Sequence, residues 1–144
     1  MKKNVLFCLA LCFVLAAQSC MDDGCSFKGK WSVQSADVQS TKLSASILQM
    51  TKDDYLNSTY EFAKDGKITI TGVPGSTTKE GNWTFDENTQ ELKWASSEGA
   101  STPFSETFQM ESCVNGEMTL TQRIPPDPAA EAMAEIKITI KKVK

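Results

Sequence analysis

Histidine is absent from this 144-residue chain, and arginine occurs once, at Arg123. Without an imidazole, neither a Ser-His nor a Cys-His nucleophile can be assembled. With no histidine and no Cys-x-x-Cys pair, a zinc site has no ligand set. No metal and no cofactor are therefore expected. Basic side chains are also too few and too scattered for nucleic acid, which asks for clustered Lys and Arg. The one long apolar run, residues 5–17, falls short of the roughly 20 residues that span a bilayer. Paired carboxylates could serve an acid-driven hydrolase, but the acidic residues fall mostly in turns and on outward strand positions. The chain is expected not to be an enzyme.

The N-terminus carries a different kind of information. Lys2 and Lys3 precede the apolar run, which has the length of a signal-peptide core. Ala17-Gln18-Ser19-Cys20 follows and resembles a lipobox, where the cysteine thiol is acylated and the bond before it is cut. The resemblance implies an export signal over residues 1–19 and lipidation of Cys20, with palmitate-type acyl chains as the membrane anchor. The alternative is an ordinary secretory signal cleaved nearby, with Cys20 free or disulfide-bonded. Met21-Asp22-Asp23-Gly24 resembles the acidic surface-export signal of Bacteroidetes lipoproteins. That implies an outer-membrane protein facing the cell exterior in preference to the periplasm; a plain solvated tether is the other reading.

Loss of the signal removes Lys2 and Lys3 and leaves thirteen basic against eighteen acidic side chains, a net charge of −5 on 125 residues. That length makes one domain with a single core. The acidic balance argues against electrostatic membrane adhesion, so the acyl chains would hold the protein to the membrane. Of the five cysteines, Cys8 and Cys12 leave with the signal and Cys20 takes the lipid. Cys25 and Cys113 remain, an even pair in an oxidising compartment. A disulfide between them is expected, two lone buried thiols being the alternative.

From Gly29 onward the pattern is alternation. Trp31 and Val33 alternate with polar neighbours in a first strand. Residues 41–56 differ, because Leu43, Ile47, Met50 and Leu48 recur at helical spacing behind Ser40 or Thr41 as cap. One short amphipathic helix is predicted there. Strand pairs follow: 59–63 and 67–72 about Asp65-Gly66, 81–85 and 90–95 about residues 86–89, and 104–113 and 117–124 about Asn115-Gly116. Pro125-Pro126-Asp127-Pro128 interrupts the ladder, residues 129–134 suit one helical turn, and 135–143 form a last strand. Eight sequential antiparallel strands predict an all-β fold, an up-and-down barrel that closes on itself and so leaves no exposed edge.

The lipidated tether (residues 20–28), Gly29-Lys30-Trp31 opening the first strand, and the hairpin series after one helix together resemble the lipocalin-like lipoproteins of Bacteroidetes. The resemblance covers residues 29–144 as the barrel domain. It implies that Trp31 sits at the closed base of the barrel, under a basic side chain from a late strand: Arg123, Lys141 or Lys142. The other lipocalin signature segments are not recognisable, and the helix follows the first strand instead of lying near the C-terminus.

Alternation turns Trp31, Tyr60, Phe62, Trp83, Phe85, Trp94, Phe104 and Phe108 inward, with aliphatic residues between them. These are the candidate lining of an apolar cup for a small hydrophobic ligand. The competing reading is a filled core, since an eight-stranded barrel is just wide enough for its own side chains or one small ligand, and eight rings each bury about 150–250 Å². Glu106 and Gln122 fall on the same inward face. Either Glu106 makes a polar contact in a pocket, or a bulge or rim position turns it outward; its expected partner is Arg123 or Lys141. Two functions stay open: an envelope binding module for a small hydrophobic or amphipathic ligand, gated by the loops at residues 72–80 and 96–103, and a packed barrel that contacts or inhibits an envelope protein.

Overall fold

The computed structural model describes residues 25–72, 78–100, 103–124 and 134–144. The expected signal, Cys20, the acidic segment after it, the centres of two long loops and all but the last residue of the helical turn expected at 129–134 lie outside these residues; that last residue, Ala134, is in a strand. Eight strands and one helix follow in order: β1 (Gly29–Ser40), α1 (Ala45–Leu56), β2 (Thr59–Phe62), β3 (Lys67–Thr71), β4 (Lys79–Asp86), β5 (Glu91–Ser96), β6 (Ser105–Val114), β7 (Glu117–Ile124) and β8 (Ala134–Lys142). Each strand pairs antiparallel with its sequence neighbour, and β8 pairs with β1 to close the barrel. This is an all-β, eight-stranded, up-and-down barrel of lipocalin-like topology.

Local chemistry sets the register. At the β6–β7 hairpin Asn115 and Gly116 have φ of 53° and 74°, the left-handed pair that a two-residue hairpin requires and that Asn-Gly adopts at low cost. Along β8, Ile136, Ile138 and Ile140 are buried while Glu135 and Lys137 are exposed, as a sheet with one dry face demands. Two irregularities shift the phase, between Val33 and Ser35 in β1 and between Met110 and Ser112 in β6. A bulge inserts one residue and changes which parity faces inward. Hence Trp31 and Val33 point inward before the first irregularity, and Ala36 does so after it.

The hairpin turns at residues 63–66, 87–90 and 115–116 mark one end of the barrel, the base. Thr71, Lys79, Ser96, Ser105, Ile124 and Ala134, the opposite ends of these strands, lie with α1 toward the other end, the mouth. At the base, residues 25–28 pack instead of trailing as a tether. Phe27 is buried against Phe62, Trp83 and Phe85, with ring centroids 5.8, 5.8 and 4.6 Å away. The Trp31 indole N–H donates to the Phe27 carbonyl at 2.7 Å. Lys142 places its ammonium 5.4 Å from the Trp31 ring centroid and donates to the Ser26 carbonyl at 3.0 Å. Of the three basic side chains considered for that place, it is Lys142 that covers Trp31. Replacing Lys142 with Met should keep the stem and lose both contacts, lowering stability by about 1–2 kcal/mol. Urea melts followed by tryptophan fluorescence would measure this, and an unchanged midpoint would count against the Lys142 contacts.

The helix departs from expectation at its start and on its apolar face. β1 runs through Ser40, which pairs with Ala134, so the residues expected to cap the helix are engaged near the sheet. Ser44 caps instead, accepting from the Ile47 N–H at 3.4 Å. No residue of α1 is buried, and Ile47 and Met50 are 47% and 67% exposed. Strand side chains already occupy the interior, so the helix lies against β1 and offers the core only the flank of Tyr55.

Candidate functional site

The centre of the barrel is filled. Trp31, Phe62, Trp94 and Phe108 are all under 2% exposed, and Trp94 stacks on Phe108 with centroids 4.8 Å apart. Tyr60 approaches Trp94 at 5.1 Å, and Phe62 meets Trp83 edge-on at 5.3 Å. All three tryptophans share this one cluster. A deep apolar cup therefore does not exist among the described residues. What remains open is the mouth, where α1 leans over the barrel wall and leaves a cleft of about 230 Å³. That is below the about 300–1,000 Å³ of ordinary ligand pockets, and it suits a small molecule or one end of a larger one.

Of the eight candidate rings together with Glu106 and Arg123, which were expected to contribute to the same interior site, the mouth cleft gathers Tyr60, Phe104 and Glu106. Trp31, Phe62, Trp83, Phe85, Trp94 and Phe108 are structural, at the base or in the packed centre. Arg123 does not line the interior. Its side chain is 76% exposed and pairs with Glu135 at 3.1 Å. It lies near the mouth end of β7, the opposite end from Trp31, and its parity is opposite to that of Met118 and Leu120, which point inward.

Glu106 keeps the inward phase because the β6 irregularity comes only after Met110. It stands opposite Trp94 in the β5–β6 register, and the Trp94 indole N–H donates to its Oε2 at 2.6 Å. The Tyr55 hydroxyl, from α1, faces the same carboxylate as its other polar neighbour. These two groups, not Arg123 or Lys141, are its partners. Burial raises the Glu106 carboxyl above its usual range, while the Trp94 bond, the Lys79 charge and the Tyr55 hydroxyl hold it down. Burial likewise pushes the Tyr55 and Tyr60 hydroxyls up, with the Glu106 charge adding to both.

The shift of Glu106 fixes a sign. A carboxyl that titrates higher in the folded state binds more protons folded than unfolded, so stability falls as pH rises through its range. Glu106→Gln retains an oxygen for Trp94 and removes the buried charge. Its melting temperature should exceed that of the parent chain at neutral pH, and the gap should close below the ordinary glutamate value of 4.5. A gap of constant size across pH would show that Glu106 does not titrate in this environment.

Tyr55 and Lys79 complete the cleft, and neither was singled out from the sequence. Tyr55 lies on the helix, where apolar spacing points to Ile47 and Met50 instead. Lys79 opens β4 after a loop and carries no motif. The Lys79 ammonium lies 5.9 Å from the Phe104 ring centroid, within the range at which a cation feels the ring face. Cys25 and Cys113 are joined by a disulfide with Cα atoms 5.7 Å apart, at the base and remote from the cleft. A wider depression of about 580 Å³ lies there too, between the residue 25–28 strap and the β4–β5 turn. It is a surface feature with no buried ionisable group. Among the described residues, no three His, Cys, Asp or Glu side chains are grouped to hold a metal ion, and no helix is long and apolar enough to cross a membrane.

The chain matches no protein-family model and no curated protein sequence. Its fold and site define it by class: a closed antiparallel barrel with a packed interior and a small, acid-bearing cleft at its mouth.

Proposed function

We propose that this chain is a non-enzymatic, lipid-anchored protein of the bacterial outer membrane, held by an acylated Cys20 and facing the cell exterior. Its barrel binds a small amphipathic ligand at the mouth. The lipobox-like sequence at residues 17–20 and the resemblance to lipocalin-like lipoproteins of Bacteroidetes support the address. The observation that carries the binding function is the mouth cleft itself, where a half-buried carboxylate oriented by the Trp94 hydrogen bond adjoins the rings of Tyr60 and Phe104. Natural cores seldom keep such a carboxylate without use, because burying a charge is costly.

The test uses the full mature protein in detergent micelles. Small amphiphiles should shift the Trp94 indole N–H resonance saturably, and Thr51→Trp, which places a ring over the cleft from α1, should abolish the shift without lowering the melting temperature. Shifts that survive Thr51→Trp, or none across a broad panel, would remove the cleft as the binding site. Cys20→Ala should release the protein from the membrane fraction, and protease shaving of intact cells reports which way the domain faces.

A second reading has its own support. The filled interior suits a scaffold that contacts or inhibits an envelope protein, and α1 exposes Ile47 and Met50 on its outer side. A photo-crosslinker at position 50 that recovers one stoichiometric envelope partner in whole cells would favour it over ligand binding.

A further inference from the structure

The ligand's polar end has a sign, and the groups around the cleft determine it. Asp54 and Glu106 are the acidic residues lining it and Lys79 the basic one, so the cleft is net negative within an acidic protein. The rings of Tyr55, Tyr60 and Phe104 add the negative faces of their π-systems. Glu106 accepts a hydrogen bond from Trp94, and the Tyr55 hydroxyl stands beside it. A carboxylate offers roughly four acceptor positions, which leaves acceptor capacity for a donor arriving from the cleft. An anion entering the same space would meet two carboxylates and a single lysine on a long stem.

A cation already stands near that position. Lys79 lies beside Phe104 and its charge is felt at Glu106. The chain thus presents a primary ammonium on an alkyl stem to the aromatic wall and the carboxylate, as a tethered stand-in for an incoming ligand. Resting on the reading that the mouth is a ligand site, we propose that it takes the ammonium end of a small organic amine. Glu106 is the counter-ion, Phe104 and Tyr60 form the aromatic wall, and Lys79 is the internal competitor that the amine displaces. The cleft volume of about 230 Å³ limits the amine to a compact body.

Three probes that each carry a phenyl ring on a short alkyl chain separate the possibilities: phenethylamine, 3-phenylpropanoate and 3-phenylpropan-1-ol. Each is titrated into the full mature protein in micelles, corrected for partition into empty micelles, and followed at the Trp94 indole N–H. Phenethylamine should saturate, with the other two at least about tenfold weaker, as expected for losing a charge-assisted bond. Glu106→Gln should weaken phenethylamine by about tenfold or more. Lys79→Met should strengthen it, since the competitor is gone. That second variant keeps the proposal open to refutation should Glu106→Gln fold poorly. Tighter binding of the propanoate, lost in Lys79→Met, would make the site one for anions and overturn the amine while leaving a mouth ligand site intact. Equal binding of all three would likewise refute a charge-selective site. If no probe perturbs Trp94, the amine and the mouth ligand site both fail.

Discussion

Replacing Cys25 and Cys113 together by alanine should lower unfolding free energy by about 3–5 kcal/mol. The disulfide spans 88 residues of sequence, and in the chain-entropy treatment a loop of that size restricts the unfolded ensemble by about 4.5 kcal/mol. Against the roughly 5–15 kcal/mol that holds a domain folded, this is a large share. The native side adds to it. Two residues past Cys25, Phe27 covers Phe62, Trp83 and Phe85 and its carbonyl accepts from Trp31, while the Ser26 carbonyl accepts from Lys142. Freed from β6, this strap would hold the base by those contacts alone. Two observables should therefore change together: the urea midpoint falls, and the Trp31 indole N–H exchanges faster with solvent. Trp94, shielded in the packed centre, should keep its protection at low denaturant. Equal midpoints with and without reductant would show that the bond constrains nothing that matters to folding.

Most of the barrel was legible because alternation in a strand has a period of two and one face must be dry. Asp65-Gly66 and Asn115-Gly116 placed two of the hairpins, and the isoleucines at 136, 138 and 140 placed the last strand. The inward face was right for the residues from Trp31 to Phe108 because the bulges in β1 and β6 fall beyond most of the aromatic positions. The same parity rule places Arg123 outward, opposite Gln122, and Lys142 in phase with Ile140. Followed strictly, it would have chosen Lys142 as the cover for Trp31, since Arg123 also lies at the wrong end of its strand. The helix was harder. Its apolar spacing suggested a buried face, but periodicity cannot show that the space beneath is already taken by strand side chains. The partner of Glu106 was illegible for a related reason: parity says that a side chain points inward, not which residue of another element meets it. Tyr55 reaches Glu106 only because β1 pairs with β2 over its first four residues alone, Gly29 to Ser32, and α1 lies along the rest of the strand.

One residue that no motif marks carries the other large expected effect. Gly81→Ala should lower stability by more than about 3 kcal/mol, beyond the usual range for overpacking, and lower the melting temperature by about 10 °C or more. A Cβ on Gly81 would lie 2.0 Å from the Ala95 carbonyl oxygen, 2.8 Å from its carbon and 3.0 Å from Phe104 Cζ. The first two atoms are backbone, in a strand fixed on its far side by pairing to Ser105, so β5 cannot yield without disturbing β6. Gly81 itself is paired to Ile68 and Ser96, so β4 cannot move away without weakening both ladders. Relief through Phe104 would shift the aromatic wall of the cleft, so any folded fraction should bind ligand differently. Gly99→Ala separates this close approach from backbone strain. Gly99 has a φ of 80° but nothing within 4 Å of an added Cβ, so its substitution should cost only the roughly 1–2 kcal/mol of a left-handed alanine. Gly81→Ala must therefore prove the worse of the two, although Gly81 has the ordinary extended backbone. Were Gly99→Ala the more damaging, the contact between β4 and β5 at this point would be looser than the structure shows.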